Sequence, residues 1–595
     1  MGTQVRRSDI TDEYKWRIED LFASDGEWEN EFAVIARDVP GMGRFKGTLD
    51  SAGALCTALT AMSDVGRGLE KLYTYAHMKK DEDNSVTKYQ AMEARMVSLS
   101  VELETVTAYV TPEILTIPKE RLLGFVAQEP GLRDYEFMLK NILRSKAHVL
   151  DEPREQLLAQ VSEIDASNAN TFSMLDNVDM TFGEITDENG EKTALTHGKF
   201  TSIMQGKNRE LRKTAYQQFY GKYGENKNTM ASILTTNIKS GVFFAKSRRY
   251  ESALNAALFG DNVSTDVYNN LIATVRSNIS VLHDYMALKK RALKVDELHM
   301  YDVYAPITSY DEPPVEFHEA RGILLDGLRP LGDEYANLLN RSFDERWMDV
   351  YENFGKRSGA YCTDTYGIHP FVLLNYQKKL DDVYTVAHEL GHAMHSYFSN
   401  AAQPYPTAQY KIFVAEVAST VNEVLLTAHL SNTKDKARKA SILNHYLEQF
   451  RGTMFRQVMF AEFEKITHEL VEQGEPLNAE RYMQVYGDLN AFYHGESMAK
   501  DDEIQLEWSR IPHFYSGFYV YKYATGFCAA VSIAERLLSG DKTMLANYLN
   551  FLKSGGSDHP IELLKIAGMD MSSPAPIEDG IKAFRKAIGE LEGLM

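Results

Sequence analysis

The chain has 595 residues, 44% of them hydrophobic and 25% charged, an ordinary make-up for a globular protein long enough to bury a large core without staples. Its 64 Lys and Arg against 84 Asp and Glu leave a net charge of −20, which argues against a general nucleic-acid binder, because phosphate binding needs a basic face. Three distant cysteines, Cys56, Cys362 and Cys528, exclude a disulfide scaffold and fit a reducing compartment.

Length alone allows up to about four domains. The opening MGTQVRRSDITDEYKW has no apolar stretch behind its charges and does not read as a secretory signal. Met1-Gly2 is followed by Arg6 rather than Ser or Thr, so a myristoylation start is discounted. No apolar run approaches the roughly 18 residues of a membrane span, and the expected location is the cytoplasm. Apolar residues at three- and four-residue spacing predict helices over 86–109, 265–292, 316–328, 435–472 and 529–551. Residues 178–200 alternate polar and apolar around Asn189-Gly190, a two-residue hairpin signal. Residues 355–376 are rich in Gly, Tyr and β-favouring residues and predict further short strands. The expected organisation is an N-terminal helical domain over 1–200, ending in the hairpin, and a larger helical domain over 201–595.

The sharpest chemical signal is His388-Glu389-Leu390-Gly391-His392, inside a helix candidate that Asp381 or Asp382 can cap. On a helix, positions i and i+4 share a face about 6 Å apart. Two imidazoles there can reach one Zn²⁺, while Glu389 flanks the ion and can take a proton from its bound water. Gly391 costs roughly 1 kcal/mol against Ala in a helix interior, which predicts close approach of another backbone. A catalytic zinc needs a third protein ligand. Glu416 lies 24 residues beyond His392 in a second amphipathic helix over 410–430, and Glu423 shares its face, where it can orient a histidine ligand. His395 is the rival ligand, but His388 and His395 stand about 10.5 Å apart along a helix. His395 is therefore read as a supporting or core residue. Downstream, His513, Tyr515, Tyr519, Tyr521 and Tyr523 crowd into eleven residues. Their N–H and O–H donors could stabilise the oxyanion of peptide hydrolysis; an aromatic packing seam is the plainer alternative.

Taken together, VAHELGHAMHS, FVAEVASTVNE and IPHFYSGFYVYKYATG, with RSGAYC, HPFVLLNY, YKWRIEDLF and FLKSGGSDHPIELLKIAGMD in order along the chain, resemble oligoendopeptidase F of the thimet-oligopeptidase-like zinc metallopeptidases. The resemblance implies a mainly α-helical fold with a small β-sheet beside a deep substrate channel. It implies a zinc-dependent endopeptidase that cuts short unfolded oligopeptides internally, with one Zn²⁺ on His388, His392 and Glu416 and Glu389 as general base. His513 with Tyr523, or next Tyr519 or Tyr521, would bind the oxyanion. Ser358, Gly359, Ala360 and Tyr361 would lie along the substrate backbone as an edge strand. A related carboxypeptidase or dipeptidyl carboxypeptidase is the alternative, and would need a cation for the substrate C-terminus. A non-enzymatic peptide-binding protein is the distant third reading. No nucleic acid or membrane partner is expected, and the oligomeric state stays open.

Overall fold

The computed structural model describes residues 5–595, so the reading of Met1-Gly2 lies outside the described residues. Helices dominate, as predicted. The described strands are short: β1 (Glu184–Thr186), β2 (Lys192–Ala194), β3 (Met348–Asp349), β4 (Tyr361–Thr363) and β5 (Phe371–Leu373). Among the described residues no helix is long and apolar enough to cross a membrane.

The chain forms two compact units that interleave in sequence. The first takes the chain up to Ala147, then Glu312–His429 and Ile533–Met569; the second takes His148–Asp311, Leu430–Ser532 and Asp570–Met595. The division expected at residue 200 follows chain order and is a different partition. Interleaving of this kind depends on contacts between distant segments, which no local pattern announces.

In the first unit, helices Ala52–Glu82 and Thr87–Thr107 pack over a core that includes Trp16, Trp28, Leu72 and Met96. The buried Trp28 satisfies its indole N–H on the Leu72 carbonyl at 2.8 Å. Phe371 and Leu373 of β5 join the same core. The sheet order is β3-β5-β4, with β3 parallel and β4 antiparallel to β5. Cys362 stands opposite Val372. The Val372 amide is spent on Trp347 of the β3 side. Cys362 therefore belongs to a pair that does not exchange hydrogen bonds, and its own amide points off the free edge of the sheet.

In the second unit the 39-residue helix Arg209–Ser247 is the longest element. The expected hairpin forms from β1 and β2, with Ile185 opposite Thr193. The Asp187 carboxylate closes its turn by accepting from the amides of Asn189 and Glu191, and Gly190 takes a φ of 81°.

Three predicted helices are interrupted. Residues 265–292 split into Thr265–Ser277 and Ser280–Leu293. The 435–472 stretch carries a π-helical segment, Phe450–Phe455, between Lys436–Gln449 and Arg456–Glu472. The 529–551 stretch is two helices, Tyr521–Leu538 and Lys542–Lys553. Gly540, at a φ of 80°, ends the first, and the Asp541 carboxylate caps the second by accepting from the Met544 amide at 3.0 Å.

Candidate active site

The motif helix runs from Leu380 to Ala402. Lys379, not an aspartate, occupies its cap position, and Asp382 works from three residues inside by accepting from the amides of Gln377 and Lys379, both at 2.8 Å. The second helix, Ile412–Ser431, crosses it. A Cβ on Gly391 would sit 2.5 Å from Ser419 Cα and 2.8 Å from the Ala418 carbonyl oxygen. Gly391 is thus the point where the two backbones touch, as its helix-interior cost predicted. Beside it the buried Asn422 donates to the Ala387 carbonyl at 2.9 Å and accepts from the Tyr335 hydroxyl at 2.9 Å. Pairing the freed polar groups locks the crossing rather than penalising it.

At that crossing His388, His392 and Glu416 offer one donor atom each, all within 4.8 Å of one another. His388 Nε2 lies 3.2 Å from His392 Nε2 and 3.4 Å from Glu416 Oε2, and His392 Nε2 lies 3.6 Å from Glu416 Oε2. His388 Nδ1 is held by Glu423 Oε1 at 2.5 Å, which turns Nε2 toward the cluster. Two imidazole nitrogens and one carboxylate oxygen at these separations fit a divalent cation of the zinc class.

The charges sort themselves in the same sense. Burial works against charging His388, but hydrogen bonds to Glu416 and Glu423 push its pKa up to about 10. Burial and the neighbouring His388 charge hold His392 down to about 4. Burial would raise Glu416, yet its hydrogen bond to His388 and the charge of His392 hold it down to about 2. A proton on His388 supplies the positive charge that a bound cation would take over.

Glu389 is 8% exposed. Burial pushes its pKa up to about 7, with Glu416 and Glu423 adding to the rise and a hydrogen bond from the Cys362 amide opposing it. That amide is the one pointing off the sheet edge, so β4 meets the carboxylate expected to act as base. No local sequence pattern announces this contact, or the roles of Asn422 and Tyr335. His395 is fully buried, stacked on Tyr410 with centroids 3.7 Å apart, and held down to about 3 by burial; it is a core residue. Of the four residues expected along the substrate, Ser358 and Gly359 are exposed, Ala360 and Tyr361 are partly buried, and Tyr361 begins β4. Asn375 donates to the Gly359 carbonyl at 2.8 Å and steadies the approach to the strand.

The second unit gathers the aromatic cluster. The Tyr523 hydroxyl is 3.4 Å from His513 Nε2, and the Tyr519 ring stacks toward His513 with centroids 6.2 Å apart. Burial and then the charge of Arg456 lower the His513 pKa, favouring the neutral ring. Tyr521 is turned the other way: fully buried, it packs against Tyr268 at 5.1 Å. Tyr515 stacks on Phe172 at 4.4 Å.

Comparison with known proteins identifies the family. The model of peptidase family M3 matches residues 202–583, and an oligopeptidase F model matches residues 113–182. Oligopeptidase PepF of Bacillus subtilis is 44% identical over 591 residues, covering 99% of this chain and 88% of that protein. Group B oligopeptidase PepB of Streptococcus agalactiae is 40% identical, covering 99% and 98%. The crystal structure of oligoendopeptidase-F from Enterococcus faecium superposes with a TM-score of 0.74 at 37% identity, covering 96% of this chain and 99% of that one. The chain therefore belongs to peptidase family M3, as a metalloendopeptidase of the oligoendopeptidase F type.

Proposed function

We propose that the protein is a zinc-dependent oligoendopeptidase that hydrolyses internal bonds of short unfolded peptides in the cytoplasm. The observation that carries this is the convergence of His388 Nε2, His392 Nε2 and Glu416 Oε2 within 4.8 Å, with the buried Glu389 next to His388 in sequence. Those three atoms would hold the ion. Zinc is chosen over cobalt or manganese by ligand type and availability rather than by affinity. When bound, zinc supplies a Lewis acid that polarises the scissile carbonyl.

The rest of the chemistry falls to the chain. Glu389, a carboxylate set by sequence beside the first histidine and largely shielded from bulk water, accepts a proton from the attacking water and delivers it to the departing amine. Glu423 fixes the ring of His388. His513 and Tyr523, with Tyr519 beside them, donate to the developing oxyanion; motif order and their mutual geometry support this role. Residues 358–361 and the free edge of β4 receive the substrate backbone as an added strand.

The test is digestion of an internally quenched peptide of about ten residues with both ends blocked, beside an unfolded protein chain, with and without chelator. Internal cleavage of the peptide alone, abolished by chelator and restored by zinc, is expected. Cleavage that requires a free end would replace this reading by the exopeptidase. Cleavage that survives complete removal of metal would overturn it.

A further inference from the structure

Behind His513 in the second unit lies a group of cations that the proposed chemistry does not use. Arg456 and Arg510 both reach Glu507 Oε1, at 2.6 and 2.9 Å. Arg451 and Lys289 both reach Glu448, at 2.7 and 2.6 Å. Among the described residues, Glu448 and Glu507 are the carboxylates within ion-pair distance of these four cations. Even if the fully buried Lys289 is neutral, three guanidiniums face two carboxylates. Both carboxylates are already shared: Glu507 also accepts from Tyr486, and Glu448 from Tyr285.

Tyr304 stands among the guanidiniums. The Arg451 guanidinium lies 4.4 Å from its ring centroid, and Tyr304 is partly exposed. The side chains of Arg456 and Arg510 each keep 22% of their surface open. Burial works against ionising Tyr304, yet the charges of Arg456, Arg451 and Arg510 outweigh it and lower its pKa. The local field is thus positive by more than the two carboxylates cancel. Surplus charge in a poorly hydrated site is expensive unless a counter-ion arrives, and arginine forks suit a carboxylate.

The group also adjoins the aromatic cluster. The Arg456 guanidinium lies 4.3 Å over the Phe460 ring, and Phe460 packs edge-on to Phe514, the neighbour of His513, at 5.3 Å.

We propose that Arg451, Arg456 and Arg510, with the hydroxyl of Tyr304, form a subsite for a peptide carboxylate, either the C-terminal group or an Asp or Glu side chain. The inference rests on the peptidase reading for its ligand class. It gives the enzyme a cationic anchor that the sequence motifs did not mark, and it makes carboxylate-bearing oligopeptides the preferred substrates.

The experiment measures binding apart from cleavage. Full-length Glu389→Gln protein is titrated into three fluorescein-labelled nonapeptides, followed by anisotropy. One has a free C-terminus, one is the carboxamide, and one is the carboxamide with Glu near that end. The free acid is expected to bind about tenfold more tightly than the carboxamide, as for a charge-assisted hydrogen bond. Tight binding restored by the Glu peptide would assign the subsite to side chains as well; no restoration would assign it to the C-terminus. Arg456→Gln should bring the acid-to-amide ratio close to one, and Arg456→Lys should recover part of it. Tyr304→Phe, which keeps the ring, provides a second variant should Arg456→Gln fail to fold. Equal affinity for all three peptides, no binding of any, or a ratio that survives in both Arg456→Gln and Tyr304→Phe would overturn the subsite. Loss of the peptidase reading is distinguished by separate turnover assays with the unmodified enzyme: no cleavage there sinks that reading, while the binding ratio still decides the subsite.

Discussion

Glu389 and Glu423 sit beside the same cluster and are proposed to do different work, so their variants should separate. Glu389→Gln removes the proposed proton acceptor but none of the three converging ligand atoms. Turnover should fall about 10²–10⁴-fold with bound zinc, measured by elemental analysis, unchanged. Glu423→Ala instead frees His388 Nδ1, now held at 2.5 Å. Zinc affinity should fall about 10–100-fold, and added zinc should restore much of the rate. A Glu389→Gln protein that turns over normally, or a Glu423→Ala protein with unchanged affinity, would contradict the roles given to them. The reach of sequence reasoning at this scale is set by periodicity. His388, Glu389 and His392 are fixed relative to one another by one helical turn, so their geometry is legible. Tyr519, Tyr521 and Tyr523 are not, because the helix starts at Tyr521. Whether alternate residues share a face depends on where that start falls, and here it turns Tyr521 inward while Tyr519 and Tyr523 face His513.

At the scale of elements, two contacts hold the proposed machinery. The first is Gly391 against Ser419. Ala at 391 would gain about 1 kcal/mol of helix propensity. It would also press a Cβ to 2.5 Å from backbone, and overpacking of that kind costs typically about 1–3 kcal/mol. The clash wins because backbone cannot rotate away, so Gly391→Ala should lower the melting temperature and weaken zinc binding by spreading the two helices. The second contact is Glu464 against the loop after His513. Its Oε1 accepts from the Phe518 amide at 2.9 Å, its Oε2 is buried without a hydrogen-bond partner, and Phe518 holds a φ of 57°. Burial pushes the Glu464 pKa up to about 8. Between about pH 4.5 and 8 the folded protein keeps a proton that the unfolded chain has released. This group therefore costs stability as pH rises through that window, by up to about 1.4 kcal/mol per pH unit. Glu464→Gln keeps the acceptor and removes the titration. The variant should match the unmodified protein near pH 4.5 and exceed it in melting temperature at pH 8; identical pH profiles would refute this. The Gly391 contact was legible, since a glycine in a strongly amphipathic helix needs a reason. The Glu464 contact was not, because its partner is a backbone amide 54 residues away.

At the scale of the whole molecule, the three candidate ligands share the first unit, whereas Glu464 and the aromatic cluster share the second. Helical content and the hairpin followed from local pattern, because i,i+4 spacing and Asn-Gly turns act over a few residues. The interleaving of the units did not, because the contacts that define it join segments such as Glu312–His429 and Ile533–Met569 across a hundred residues of the other unit. This arrangement predicts where the effect of metal should be felt. An ion that binds only the folded state stabilises it in proportion to the logarithm of its concentration over Kd, about 2.7 kcal/mol at a hundredfold excess. The stabilisation belongs first to the elements that carry the ligands, and local opening energies differ along a chain. Removing zinc should therefore speed amide hydrogen exchange most in Leu380–Ala402 and Ile412–Ser431. The helices of the second unit, Arg209–Ser247 among them, should change least. Mass spectrometry of exchange with and without chelator reads this directly. Equal acceleration in both units would show that the ion's stabilisation is shared by the whole chain as one cooperative body, and no acceleration at the crossing of the two helices would place the metal elsewhere.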